Sequence, residues 1–427
     1  MAKLLGKMTV SLALAALAAG CGNSGSRSGA PVYGPGSTGH LGAGQSASGV
    51  APGGGSGGTR VGSFSSAPAL SAPRSQHTAT TLADGRVLVT GGSDGQGTYQ
   101  SSEVFDPMAN AWTAVQGGMT VNGFDSARQL HTATLMGNGK VLLAGGLGVD
   151  TQGGQFGTLS SCVVFDPTTD TFTATGAMPQ VRGWHVAARL ANGHVLVAGG
   201  VDAALNTLTS SATYDPASGQ WAAAGASSTH TWGAMVTAGQ ATVIVGGADV
   251  TYNANAPQGT SPWSFVGLPT PVAELFDAQG RTFGQAPPSI GDRVFYAGAA
   301  NSAGQALFAG GLGLQGQNLV PTDTTEIFDG TAFTAGPVMS GTRYSPEIAE
   351  IGTTGDMLIT GGIDGNNATT AVCEVVLVGS NTLAGQVSMA EARIDHKAVT
   401  LNDGRILVVG GADDNGNSLD TCEFYTR

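Results

Sequence analysis

The dipeptide Gly-Gly recurs seven times, at Gly91-Gly92, Gly145-Gly146, Gly199-Gly200, Gly246-Gly247, Gly310-Gly311, Gly361-Gly362 and Gly410-Gly411. The intervals between first glycines are 54, 54, 47, 64, 51 and 49 residues. Self-similarity of about 50 residues marks an array of supersecondary units, each unable to bury its apolar face alone. A short apolar run precedes each pair: VLVT, VLLA, VLVA, VIV, LFA, LIT and ILVV. Diglycine ends such a run where positive φ and close backbone approach are needed. Gly accounts for 69 of 427 residues and charged residues for only 11%. That balance suits many short strands and tight turns, not helices.

After most pairs a polar loop leads to a second run ending in an aromatic: EVFDP, VVFDP, ATYDP, ELFDA and EIFDG. A second aromatic follows seven residues on, Phe105 to Trp112, Phe165 to Phe172, Tyr214 to Trp221 and Phe276 to Phe283. The fifth unit shortens this step, Phe328 to Phe333, and the sixth carries Val376 and Leu383. Four short strands per unit describe a propeller blade. The diglycine, the aromatic and the second aromatic at fixed offset resemble the kelch repeat over residues 60–427. That resemblance implies an all-β, seven-bladed kelch-type β-propeller around a central channel.

The seventh unit stops at Tyr425 to Arg427, without a fourth strand or second aromatic. In later units the second aromatic stands ten residues before an arginine, as Phe172 before Arg182. Phe64 stands ten before Arg74. Residues 60–67 are therefore expected to supply the missing strand and close the ring, which removes exposed sheet edges.

Ahead of the repeats, MAKLLGKMTVSLALAALAAGC reads as an export signal over residues 1–20, with Lys3 and Lys7 before a short apolar run. LAAGC resembles a bacterial lipobox and implies lipidation at Cys21. Residues 21–59 are Gly/Ser-rich with few bulky side chains and are expected to form a flexible tether. The organisation expected is thus signal peptide, tether and propeller (60–427), carried as a monomeric outer-membrane lipoprotein facing the periplasm or the cell surface. A net charge of −12 argues against nucleic acid as partner.

Counting fourteen back from each diglycine gives His77, His131, His185, Trp232, Tyr296, Glu347 and His396. Arginines stand three before most of these, Arg74, Arg128, Arg182, Arg293 and Arg393, with Arg343 displaced by one. By resemblance to kelch propellers this register opens the innermost strand, at one mouth of the channel. One reading is a mouth of arginines and histidines that holds an acidic glycan or peptide, since guanidinium matches carboxylate. The other is structural: Glu103, Glu274, Glu326, Glu374 and Glu423 recur on the third strand and can pair with the arginines between blades. Histidines on separate blades, with sheets about 10 Å apart, are too distant to share a metal held at about 2 Å.

The unit-four loop, residues 248–271, is the longest and carries Tyr252 and Trp263 among Gly, Pro and Asn. Aromatics on a long loop over a rigid scaffold suit recognition. Cys162, Cys373 and Cys422 share one register that is otherwise small, and are expected to be free and buried. Asp94, Asp202, Asp249, Asp364 and Asp413 follow the diglycines as turn formers. Calcium is the one cofactor such loops suggest, and no full motif for it is present.

The function expected is a surface binding or adhesion module for a protein or glycan at one propeller face. The competing reading is a catalytic kelch propeller acting on carbohydrates by oxidase, epimerase or lyase chemistry. Labelled palmitate should enter the full chain and should be lost from Cys21→Ala; equal incorporation in both would sink the anchor.

Overall fold

The computed structural model describes residues 61–119, 126–149, 156–228, 231–253, 263–265, 273–289, 291, 293–315 and 318–427. The expected signal segment, the tether and Cys21 lie outside the described residues. A four-stranded antiparallel sheet recurs seven times among them. The first sheet is built from Thr78–Thr81, Val87–Thr90, Ser102–Asp106 and Ala111–Ala114. Sheets two to seven open with Thr132–Leu135, Val186–Arg189, Ala234–Ala238, Ala297–Ala300, Glu347–Glu350 and Lys397–Thr400. Each opening strand packs against the next, and that of sheet seven against that of sheet one. The result is a closed β-propeller with the opening strands innermost. Among the described residues its single helical element is the 3-10 turn Val378–Ser380.

The continuous apolar runs become second strands. Val87–Thr90, Val141–Ala144, Val195–Ala198, Met357–Thr360 and Ile406–Val409 are buried end to end. Both faces of these strands are covered by neighbouring sheets, so alternation of polar and apolar residues has no place there. The outer fourth strands are the opposite case. Ala111–Ala114 and Thr171–Ala174 are exposed except at the aromatic. Each aromatic pair expected from the spacing lies directly across two strands: Phe105 from Trp112, Phe165 from Phe172, Tyr214 from Trp221, Phe276 from Phe283 and Phe328 from Phe333. Their ring centroids are 4.8–5.2 Å apart and tilted, the geometry aromatic quadrupoles favour.

All fourteen glycines of the diglycines have positive φ. Close approach is as demanding as the backbone angle. A Cβ on Gly91 would lie 2.2 Å from the carbonyl oxygen of Arg128 in the next unit, and one on Gly410 would lie 2.6 Å from that of Arg74. The second glycine uses this proximity. Gly92 donates its N–H to Arg128 at 2.9 Å, Gly146 to Arg182 at 2.9 Å, Gly311 to Arg343 at 2.8 Å and Gly411 to Arg74 at 2.9 Å. Any side chain here would force adjacent blades apart.

The ring closes as the spacing requires. Ser63–Ala67 pairs antiparallel with Cys422–Thr426, and Phe64 lies opposite Tyr425. Their rings are 5.5 Å apart, so the last sheet obtains its second aromatic from the start of the propeller. Tyr425 also donates its hydroxyl to the carbonyl of Val61 at 2.6 Å. Phe64 is half-buried. Phe64→Ala should therefore cost about 2 kcal/mol, below the range for a fully buried ring. A chain begun at Pro68 should melt well below the intact protein, because it exposes the Cys422–Thr426 edge. Coincident melting curves would show that this strand does not close the ring.

Candidate functional site

The arginine register builds the blades and does not line the channel. Arg74, Arg128 and Arg393 are fully buried, and Arg182, Arg293 and Arg343 nearly so. Each guanidinium turns onto its own unit's diglycine: Arg74 to the Gly91 carbonyl at 3.0 Å, Arg128 to Gly145 at 3.1 Å, Arg182 to Gly199 at 2.9 Å, Arg393 to Gly410 at 2.7 Å. Arg74 pairs with Glu103 at 3.0 Å, Arg343 with Glu374 at 2.9 Å, Arg393 with Glu423 at 2.9 Å, and Arg293 with Glu326. These pairs lie within one unit, not between blades. The carboxylates also accept backbone N–H groups from the approach to the inner strand, as Glu374 does from Ser340. Sheets two and three carry Val163 and Ala212 at the glutamate position. Burial accordingly lowers Arg128 and Arg182 to about 10. Arg343 is in register with the others; the turn after its inner strand is one residue longer, so its diglycine is 18 residues away rather than 17. The expectation of guanidinium groups presented to an acidic ligand is therefore corrected.

The histidines do reach the channel, beneath its rim. His77, His131 and His185 line a cavity of about 440 Å3 at the mouth, and all three, like His396, are buried. Each sits against the preceding blade. His131 Nε2 contacts the hydroxyls of Thr78 at 3.1 Å and Thr90 at 3.0 Å, His185 Nε2 that of Thr132 at 3.0 Å, and His396 Nε2 that of Thr360 at 2.8 Å. His77 has no such partner, because sheet seven places Lys397 and Val409 across from one another where sheet one has Thr78 and Thr90. Among the described residues His77 Nε2 has no hydrogen-bond partner, while the Arg74 backbone carbonyl acts on the ring.

The residue just before each histidine carries a signal that spacing alone did not expose. Gln76, Leu130, Trp184, Trp232, Phe295, Ser345 and Asp395 all have φ between 51° and 63°, a left-handed conformation uncommon outside glycine. Trp232 is one of them. The two-residue turn Gly239–Gln240 in sheet four is short, so Gly233 takes the histidine's position and Trp232 the rim position. In sheet six Pro346 takes the histidine's position and Glu347 opens the strand. The rim residues are joined by backbone bonds around the channel: Leu130 to Gln76 at 3.1 Å, Trp184 to Leu130 at 3.3 Å, Phe295 to Trp232 at 3.1 Å, Ser345 to Phe295 at 2.6 Å and Gln76 to Asp395 at 3.3 Å. All seven line the cavity. Strained backbone repeated at one rim is held by its surroundings and points to function.

The rim is two-sided. Units three to five contribute Trp184, Trp232 and Phe295, with Trp232 stacked on Phe295 at 4.5 Å and 27°. Across the ring stand Ser345, Asp395 and Gln76, with Glu347 and Lys397 below them. Lys397 pairs with Glu347. Burial works against its charge, but the Glu347 carboxylate and Asp395 more than offset this and raise its pKa. Tyr252 joins the apolar cluster that holds Trp232 and Phe295. Trp263 lies opposite Tyr252 in the ribbon Val250–Tyr252 with Trp263–Phe265; residues 254–262 and 266–272 of that loop are outside the described residues.

Cys162, Cys373 and Cys422 are free and buried, and burial pushes their thiols up to about 11, 12 and 12. Asp94, Asp202, Asp364 and Asp413 accept backbone N–H groups two to four residues on, as Asp413 does from Asn415 at 2.8 Å and Asn417 at 2.9 Å. Among the described residues no three His, Cys, Asp or Glu side chains are grouped to hold a metal.

No protein-family model matches the chain. It is 27% identical over 146 residues to Kelch-like protein terF of Aspergillus terreus, a match spanning 33% of this chain and 30% of that protein. Its fold superposes on a fungal alcohol oxidase of the AA5 family in complex with copper, with a TM-score of 0.61, 14% identity, and 86% and 76% of the two chains covered. It also superposes on YjhT, with a TM-score of 0.53, 18% identity, and 74% and 98% covered. The fold is thus of the kelch type.

The buried histidines make acid sensitivity a direct consequence. Burial holds His77, His131 and His396 well below the usual imidazole value and His185 at about 3. The unfolded chain takes up protons near pH 6.5 while the folded ring does not, so stability is complete above about pH 6.5 and falls as pH drops below it. Chemical-denaturation midpoints should decline steeply from about pH 6.5 to 4.5, with proton uptake approaching one per histidine. His131→Gln should make the decline shallower; an unaltered slope would refute the assignment.

Proposed function

We propose that the chain is an exported recognition module that takes a protein or glycan ligand at the channel mouth. The observation that carries this reading is the rim of seven left-handed residues, which presents an aromatic wall and a polar wall over a cavity large enough for a small ligand. A rigid scaffold with side chains held in strained backbone is preorganised for binding. The kelch-like relative and the two structural neighbours support the propeller on which it rests. A lipid anchor at Cys21 would hold a monomer on the outer membrane.

An array of glycans and proteins probed with the full chain tests the site. Binding should be weakened at least about tenfold by Trp184→Ala and unaffected by Met108→Ser, a change at a side chain that is 97% exposed. Binding that survives Trp184→Ala undiminished would place the ligand elsewhere.

A further inference from the structure

We infer that the mouth accepts an uncharged, hydroxyl-bearing ring, such as a neutral pyranose or cyclitol, and that His77 is the residue that hydrogen-bonds it. This rests on the mouth being the binding site. The argument begins with charge. No guanidinium of the arginine register faces the cavity, because all are turned onto the diglycines. The one ammonium in the lining, Lys397, is committed to Glu347. Against it stand the carboxylates of Glu347 and Asp395. An acidic ligand would lose its hydration shell in a lining that already holds more anionic than cationic groups, which is costly without a fork to receive it.

What the lining does offer is hydrogen-bond acceptors facing an aromatic wall. A saturated ring has two C–H faces that cover aromatic surface, and hydroxyls at its edge that donate to carboxylates and imidazole. The span from the Trp184–Phe295 wall to the Asp395–Gln76 wall presents both at once. A neutral ligand also fits the imidazoles, which burial keeps uncharged.

His77 stands apart from its three counterparts. They spend Nε2 on a threonine hydroxyl of the preceding blade. His77 is equally buried, lines the same cavity, and has its Nε2 without a partner among the described residues. A buried ring nitrogen without a partner is costly unless something occupies it. The cause is local: Val409 occupies the position of Thr90, and Lys397 that of Thr78. A hydroxylated ring supplies both a donor and an acceptor to an imidazole in either tautomer.

The test uses the full-length chain and ligand-observed NMR with methyl glucopyranoside, methyl galactopyranoside, myo-inositol, glucuronate and tetramethylammonium. At least one neutral ring should bind, and glucuronate should not. Val409→Thr is the decisive variant: it gives His77 the internal partner His131 already has, at almost constant volume. It should weaken the neutral ligand about tenfold, the effect of one lost hydrogen bond to a buried group. His77→Gln, which keeps a donor and an acceptor, should weaken it less than His77→Ala. Near-UV circular dichroism confirms that each variant is folded. Preference for glucuronate or tetramethylammonium, no binding of any neutral ring at millimolar concentration, or full affinity in folded Val409→Thr would each overturn the inference. A protein or acidic-glycan ligand found on the array and lost in Trp184→Ala would leave the mouth as the binding site while overturning the sugar and His77.

Discussion

The ring is held by a relay between arginine and diglycine. The carbonyl of one arginine receives the N–H of the preceding unit's second glycine, while its guanidinium holds the carbonyl of its own unit's first glycine. Blade-to-blade spacing and blade-internal geometry are therefore set by the same residue. The relay needs glycine twice, once for positive φ and once because the neighbouring carbonyl occupies the space of a side chain. It needs arginine because a long planar fork can reach the glycine carbonyl, the start of the third strand and the glutamate together. Full burial of the charge is tolerable because the fork is surrounded by carbonyls and, in four described units, by a carboxylate.

The same relay frees the mouth. With guanidinium groups drawn into the blades, the residues that meet the channel are those between arginine and inner strand. There the chain makes a left-handed step in every unit. The step is conserved in geometry though the side chains differ completely, from Ser345 and Asp395 to Trp184 and Phe295. A constant backbone with variable side chains is how a repeat builds a site that is not symmetric. Aromatics fall in three consecutive units and polar groups in the units opposite, so the asymmetry follows from the order of units around the ring.

Much of this was legible before any coordinates. The paired aromatics at a fixed step, the missing last strand and the ten-residue step from Phe64 to Arg74 are local patterns repeated often enough to define a register, and they led to the strand that closes the ring. Glutamate recurrence on the third strand likewise pointed to arginine pairs. Two things misled. Counting back from the diglycine assumes a constant turn between the first two strands, and the shorter turn at Gly239–Gln240 moves Trp232 by one position. A one-residue slip changes which side of the backbone a residue takes. Nor does spacing say whether a long side chain folds back within its own blade, as these arginines do, or reaches across to the next.

The sequence by itself determined the sheets, their register and their closure, because these depend on short-range periodicity and on residue types that permit only one local geometry. Gly-Gly permits the tight approach, an apolar run demands burial on both faces, and a lone aromatic strand demands a partner. Only the tertiary structure decided which of the charged and aromatic residues face the ligand. Arg74 and His77 are three residues apart, yet one is sealed into a blade and the other lines the cavity. That choice is made by a left-handed residue between them and by what the preceding blade presents at Lys397 and Val409. The second is a contact between units distant in sequence, which no local pattern encodes.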